Sequence, residues 1–412
     1  MTVYKTVTQK YTPSQTITEL QKQFTAMTNL CITRAIDNDI TSRNSLSEFV
    51  YRELSENFNV PSYYYIAAIN RGTGIVKNYR KASRKMDKKK KDLLKLNSRI
   101  RKIRKAVRTT RKHGTKKHAN GLQRSMKTLL KKRGRVRSGK IKKPVVRKPF
   151  LTSYFGFKIE GGNLMVPSGF HKYEVIPLNS YIISGIENAT VRSFTINSTT
   201  LSLTIVMEVE EIECNTTIGI DRNIKNIAVG NEIHGGLYDI SDIPKIKKRC
   251  RKKKLKRNDR RIGRIIAKKY GDRSRNRTDQ IIHSVSNDIV REAVENREAI
   301  VLENIKGLKD ITHRGDYRGA DYRFIFHNAF PYGRFQNTVT YKAESRGIQV
   351  IELTRKETGG TSSSCTVCGS ETQVVPGRLV YCNSCDSISD RDVTAYIDIA
   401  LRGRIRLKRS QL

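Results

Sequence analysis

The sequence runs to 412 residues, 37% of them hydrophobic and 29% charged, with a formal net charge of +43. That length suffices for two to four domains with sizeable cores, and no apolar run reaches the roughly 18 residues of a membrane-spanning helix. The charge sits in two internal blocks: residues 77–148 hold 32 Lys and Arg against Asp87 and Asp92, and residues 245–277 hold 18 against Asp259 and Asp272. Two basic blocks on a near-neutral body are the footprint of a polyphosphate partner rather than of disordered tails, since both carry apolar residues at helical spacing. The opening residues MTVYKTVTQK show no signal-peptide core, and seven cysteines fit a reducing interior.

In chain order, residues 1–12 alternate polar and apolar and predict one strand. Pro13 and Ser14 open a helix whose apolar residues Ile17, Leu20, Phe24, Met27, Leu30 and Ile36 recur at helical spacing. A second helix is expected over Leu46–Asn57, and a third begins at Pro61. Tyr63, Tyr64 and Tyr65 in that third helix read either as core and edge packing or as platforms for bases. Residues 77–132 predict long basic helices with a thin stripe of Leu93, Leu94, Leu96, Ile100, Ile103 and Val107, broken at Gly114–Asn120. From Pro144 the character turns to strands, expected over Phe150–Ile159, Leu164–Val166, Tyr181–Ile183, Val191–Ile196 and Leu201–Val209. Gly161-Gly162 and Asn197-Ser198 punctuate them as turns. They suggest a small β-barrel that the first strand of the chain completes, with the helical block as an insertion.

A third regime opens at Thr217. TIGIDRNIKNIAVG reads as strand, turn, strand, with Asp221 ending the first; Thr278 caps a helix carrying Ile282, Val285, Ile289 and Ala293. Ala299–Glu303 is an apolar strand ending on an acid, followed by a loop rich in Gly, Asp and Arg. Phe335, Val339 and Ala343 line a helix ended by Gly347, and Ile348–Leu353 is a further strand. Then come two Cys-x-x-Cys pairs, Cys365/Cys368 and Cys382/Cys385, flanking a hairpin-like segment. Four thiolates in two close pairs suit tetrahedral zinc better than a disulfide pair or a redox site. Cys31, Cys214 and Cys250 read as small buried or incidental residues. Asp392 follows at the start of a last helix with Val393, Ala395, Tyr396, Ile399 and Ala400. Sites in open α/β sheets gather at strand ends, so Asp221, Glu303 and Asp392 are candidates to hold two Mg²⁺ through hard oxygens. The plainer reading of an acid closing a strand is a turn residue or a helix cap.

The segments IGIDRNIKNIAVG and IVLENIKGLK, and the ribbon followed by DRDVTAYIDIA, resemble the three RuvC motifs of the TnpB family. These are compact RNA-guided DNA endonucleases of insertion sequences, related to type V CRISPR effectors. PSYYYIAAINRGTGIVKNYRK and YKAESRGIQVIEL add to the resemblance, which covers nearly the whole chain. It implies an α+β multidomain protein with an RNase H-like (RuvC) α/β domain over 214–412, into which a zinc ribbon at 360–388 is inserted beside the target strand. It further implies a β-barrel wedge domain, residues 1–12 and 141–213, interrupted by a helical recognition domain over 13–140. Asp221, Glu303 and Asp392 become the catalytic triad with two Mg²⁺, and Cys365, Cys368, Cys382 and Cys385 hold one structural Zn²⁺. Asp390 is ranked as a supporting or capping acid, and is the substitute if the catalytic position within DRD is shifted. The chain departs from the family pattern at Arg222-Asn223, where small or apolar residues are usual, and at Thr394 and Tyr396, where Asn and Ala are usual.

The implied partners are a guide RNA encoded at the transposon end and double-stranded target DNA carrying a short adjacent motif; the implied location is the prokaryotic cytoplasm, at the nucleoid. Candidate nucleic-acid contacts are Tyr63, Tyr64, Tyr65, Asn70 and Arg71 for motif reading, and Lys77, Arg80, Lys88, Lys89, Arg251, Lys252 and Lys253 for phosphates. Arg378 and Arg391 read either as steadying the scissile strand or as solvated surface. No coiled-coil signature bears on oligomeric state. Three rival readings are an RNA-guided DNA-binding regulator without cleavage, which would be expected to lack one acid; a transposition protein, for which no His-x-His signature is present; and a basic zinc-ribbon RNA-binding protein, which leaves the acid-ended strands unexplained.

Overall fold

The computed structural model describes residues 1–135, 141–255, 260–305, 319–328 and 330–411. The loop rich in Gly, Asp and Arg after Glu303 lies mostly outside them. The chain divides into two compact units, residues 6–205 and residues 1–5 with 206–412.

In the first, β1 (Thr2–Lys10) leads to α1 (Gln15–Asp37). Ser14 caps α1 by accepting the Ile17 amide at 3.2 Å, and Ile17, Leu20, Phe24, Met27 and Cys31 form its buried stripe. The helices α2 (Arg43–Asn57), α3 (Ser62–His113) and α4 (Lys116–Arg135) follow. The expected third helix and the first basic helix are one 52-residue element. No glycine or proline interrupts residues 75–113, so nothing in the backbone stops propagation. The break after it is confined to Gly114 and Thr115.

The strands β2 (Leu151–Ser153), β6 (Thr190–Ile196) and β7 (Thr200–Glu208) pair with β1 in the order β1-β7-β6-β2. The first strand therefore joins this sheet across the helical segment. A second sheet, β3-β4-β5, is built from Lys158–Glu160, Asn163–Gly169 and Lys172–Pro177. The strands thus fall into two sheets, where one barrel was expected. The strand expected over Phe150–Ile159 is split at Gly156, whose φ of +77° turns the chain against the Tyr63 ring. Tyr181–Ile183, expected as strand, lies inside helix α5 (Ser180–Ile186). Asn179 caps that helix by accepting the Ile182 amide at 2.9 Å, a local signal that overrides the β-propensity of Tyr and Ile.

The second unit holds a five-stranded sheet in the order β10-β9-β8-β11-β12, from Gly235–Asp239, Asn226–Gly230, Thr216–Arg222, Glu298–Leu302 and Val350–Glu352. β10, β9 and β8 run antiparallel, whereas β11 runs parallel to both β8 and β12. Between β10 and β11 come α6 (Asp242–Leu255) and α7 (Arg260–Glu295). Thr278 is not the cap expected of it. It lies within α7 and donates its hydroxyl to the Ser274 carbonyl at 2.7 Å. Next come α8 (Gly319–Asn328) and α9 (Tyr332–Glu344), and α10 (Arg391–Gln411) ends the chain. Ile218, Ile220, Ile289, Ile300, Leu302, Phe335, Val339 and Ile399 share one core.

Gly219 decides how closely α10 approaches β8. A Cβ there would stand 2.1 Å from the Tyr396 carbonyl oxygen and 2.7 Å from the Ala400 amide nitrogen. Thr217 ties the same pair, donating to the Ala400 carbonyl at 2.8 Å. Among the described residues no helix is long and apolar enough to cross a membrane.

Candidate active site

Strand register brings the acids to one end of the sheet. Ile220 lies opposite Leu302 across the parallel pair of β8 and β11, so Asp221 and Glu303, each the next residue, leave the pair side by side. Asp392 arrives from elsewhere. The strands β13 (Gln373–Val375), β14 (Leu379–Cys382) and β15 (Ser387–Asp390) form an antiparallel sheet that runs straight into α10. Asp390 caps that helix, accepting the Asp392 amide at 2.7 Å and the Val393 amide at 3.3 Å. The cap fixes the first turn of α10, and with it Asp392.

Asn223 spans two of the acids, donating to Asp221 Oδ2 at 2.8 Å and to Asp392 Oδ1 at 3.2 Å. Asn226 donates to Asp392 Oδ2 at 3.2 Å. Arg378, on the β13–β14 turn, ion-pairs with the 6%-exposed Asp392 carboxylate. Arg222 is fully buried; its Nε stands 3.8 Å from Glu303 Oε1, it donates to the Glu303 carbonyl, and it reaches Gln336 Oε1 at 3.0 Å. Burial, with the Asp392 charge second, pushes Asp221 up to about 6. Burial, with Asp221 second, pushes Glu303 up to about 7. Carboxylates desolvated together in this way gain from a shared cation.

The four cysteines are tighter still. Their sulfurs all lie within 4.8 Å of one another, with Cys365–Cys385 at 3.9 Å and Cys368–Cys382 at 3.5 Å. Gly369 (φ +74°) turns the first knuckle, in which Cys365 N donates to the Ser370 carbonyl at 2.8 Å. Hydrogen bonds from Ser370 hold Cys368 down to about 6, favouring a thiolate. Among the described residues this is the one compact cluster of metal-ligating side chains. Asn223 bridges Asp221 and Asp392, Arg378 pairs with Asp392, and Arg222 pairs with Glu303, which is set beside Asp221 by strand register.

The other candidates separate. Tyr63 is exposed. Tyr64 is fully buried and donates its hydroxyl to the Pro167 carbonyl at 2.7 Å. Tyr65 is buried against Tyr51 and donates to the Phe58 carbonyl. Neither Tyr64 nor Tyr65 has a free face for a base, which corrects their reading as stacking platforms. Arg80 closes the end of α1, donating to the Ala35 and Asp39 carbonyls and pairing with the Asp39 carboxylate at 2.8 Å; its guanidinium is committed to the fold rather than to phosphate. Asn70 is half-buried, and Arg71 is exposed with its guanidinium over Phe150. Lys77, Lys88 and Lys89 are exposed along α3. On α6, Lys252 is exposed, Arg251 stacks on Phe324 at 4.3 Å, and Lys253 lies over Tyr270 at 4.7 Å. Arg391 donates to Ser362 Oγ at 3.2 Å. Of the departures from the family pattern, Thr394 bonds the Asp390 carbonyl at 3.0 Å and Tyr396 packs against Gly230 and Gly235.

Sequence reasoning missed Asn226 and Gln336 and noted Asn223 only as a departure. The asparagines at both ends of the β8–β9 turn were the available signal, since an amide opposite an acid at a turn is a ready donor. Gln336 carries no local signal; it meets Arg222 only through packing.

Residues 332–399 match the family described as Cas12f1-like, TNB domain. A TnpB-like protein of Methanocaldococcus jannaschii is 26% identical over 192 residues, covering 44% of this chain and 66% of the relative, just under two thirds of its length. A cryo-EM structure of a Cas12f1–sgRNA–target DNA complex is similar with a TM-score of 0.44 and 14% identity, over 97% of this chain and 99% of that one. The mini-RNA-guided endonuclease CRISPR-Cas_phi3 gives a TM-score of 0.34 and 13% identity, over 55% of this chain and 52% of the other.

Proposed function

We propose that this chain, similar to a TnpB-like protein and matching a Cas12f1-like TNB domain, is a member of the TnpB family and an RNA-guided DNA endonuclease of an insertion sequence. In this reading residues 214–412 form the RuvC nuclease with the ribbon at 360–388 inserted, residues 1–12 and 141–213 the wedge, and residues 13–140 the recognition domain. The guide RNA comes from the transposon end, and a short duplex motif beside the target is read by the protein. The observation that carries the proposal is the placing of three acids from distant segments near one another: Asn223 bridges Asp221 and Asp392, and strand register sets Glu303, paired with Arg222, beside Asp221.

The donor set is made of hard carboxylate oxygens, which fit Mg²⁺, and the raised Asp221 and Glu303 are relieved by positive charge. When bound, Mg²⁺ supplies Lewis-acid activation of water and of the scissile phosphodiester. Asn223 and Asn226 orient the Asp392 carboxylate, and the Asp390 cap holds its backbone. Arg378, more than half exposed, presents a guanidinium at the rim, suited to a backbone phosphate. Cys365, Cys368, Cys382 and Cys385 hold a structural Zn²⁺ that fixes the ribbon from which Arg378 and the start of α10 emerge.

The test is plasmid cleavage by the protein co-purified with its RNA. A matched plasmid is cut in Mg²⁺ and left intact in EDTA, and Asp221→Ala retains RNA and target binding while losing cleavage. Matched binding without wild-type cutting would instead select the DNA-binding regulator.

A further inference from the structure

The second basic block, whose Lys252 and Lys253 are candidate phosphate contacts, holds a cavity. α6 and α7 pack side by side, and a cavity of ≈ 380 Å³ opens between them, a size within the range of small-ligand sites. Arg249, Lys252 and Lys253 line it from α6, and Arg273 and Arg277 from α7. None of these five cations ion-pairs with a carboxylate among the described residues. The nearby acid Asp272 is taken by Arg275 at 3.5 Å.

Two features set this cavity apart from a solvated basic face. Ser274 lines it, is only 4% exposed, and its hydroxyl has no hydrogen-bond partner. A buried hydroxyl without a partner is costly and is normally satisfied. Tyr270, one turn earlier on the same face of α7, gives the cavity an aromatic wall, with the Lys253 ammonium 4.7 Å from its ring centre. Cations, a free hydroxyl and an aromatic ring lining one cleft are the parts that recognise a nucleotide: phosphate on the charges, a polar edge on the hydroxyl, a base face on the ring.

We propose that the α6–α7 cavity binds one splayed nucleotide of a single-stranded RNA segment. The proposal rests on the reading of the chain as an RNA-binding protein and makes one contact of that RNA specific. A paired strand leaves the Tyr270 ring and the Ser274 hydroxyl unused, because its bases are stacked and only one turned out of the helix reaches between α6 and α7. The phosphate-only contacts that a basic helix makes anywhere along a backbone would need neither Ser274 nor Tyr270.

Cys250 lines the same cavity and serves as a reporter. Protein freed of RNA is treated with a maleimide, and the labelling rate of the Cys250 peptide is followed by mass spectrometry. A short oligouridylate is expected to slow labelling roughly tenfold, with inorganic phosphate giving a smaller effect and duplex RNA of equal length none. An oligodeoxyuridylate arm separates RNA from single-stranded DNA as the source of the nucleotide. Tyr270→Leu should abolish the oligouridylate effect while leaving that of phosphate, and Arg273→Gln with Arg277→Gln should abolish both. Circular dichroism confirms that each variant is folded. Oligouridylate bound on a filter with Cys250 labelled at its free rate would overturn the proposal. Failure to bind any RNA would overturn the RNA-binding reading itself.

Discussion

The ribbon cysteines and the three acids are two sets of candidate ligands assembled in opposite ways. The cysteines come in pairs three residues apart, and each knuckle fixes its own geometry, so the four sulfurs close to within 4.8 Å. The acids come from β8, the end of β11 and the start of α10: Asn223 bridges Asp221 and Asp392, while Glu303 is held beside Asp221 by strand register and paired with Arg222. Ligands close in sequence carry their geometry with them. Ligands far apart depend on strand register, on Gly219 letting α10 approach β8, and on hydrogen-bonding neighbours to hold like charges near one another.

The sharpest way to break the contrast is to remove what makes the ribbon self-sufficient. Chelating zinc, or Cys382→Ser, is expected to forfeit most of the about 10–16 kcal/mol that a structural zinc contributes. Hydrogen exchange should then show residues 365–390 open while β8 and β11 stay protected. The acid set should respond in activity rather than in fold: Asp221→Asn is expected to lower cleavage about 10³-fold or more with little change in melting temperature.

Arg222 tests whether the acids depend on their neighbours. It is the fully buried counter-charge of Glu303. Arg222→Met should destabilise by about 3–5 kcal/mol in chemical denaturation, as expected for one partner of a buried pair. Adding Glu303→Gln should recover part of that loss, and additivity of the two would refute the coupling.

The pH dependence is gentler and its sign follows from the raised carboxyls. With Asp221 near 6 and Glu303 near 7 when folded, the metal-free native state holds protons that the unfolded chain has already released. Stability from these groups is therefore present at low pH and declines as pH rises from about 4 to about 7. Mg²⁺ should reduce the decline, and cleavage should rise through the same window, which thermal melts and pH–rate profiles can read. The smallest effect expected is that of Asp390→Ala, about 0.5–2 kcal/mol for a lost helix cap, with Asp392 less well placed at the head of α10.

Much of this was legible in the sequence wherever the signal is local. Ser14 and the apolar stripe of α1, the two cysteine pairs, and the acids closing β8 and β11 are all short-range patterns. What escaped was set by competition or by distance. The Asn179 cap turned Tyr181–Ile183 into helix against its β-propensity. Tyr64 and Tyr65 belong to the core because α3 buries that face, which three consecutive tyrosines do not disclose. Arg80 is spent on the end of α1, 45 residues away from its Ala35 partner. Asn226 and Gln336 meet their partners only through the fold.

The central claim is that Asp221, Glu303 and Asp392 act as one cation-binding set, and Mn²⁺ binding followed by electron paramagnetic resonance tests it most directly. Alanine at any one of the three should weaken Mn²⁺ binding by a similar factor, while Asp390→Ala binds nearly as the wild type. An alanine variant of any one of the three that folds and keeps full Mn²⁺ affinity would contradict it.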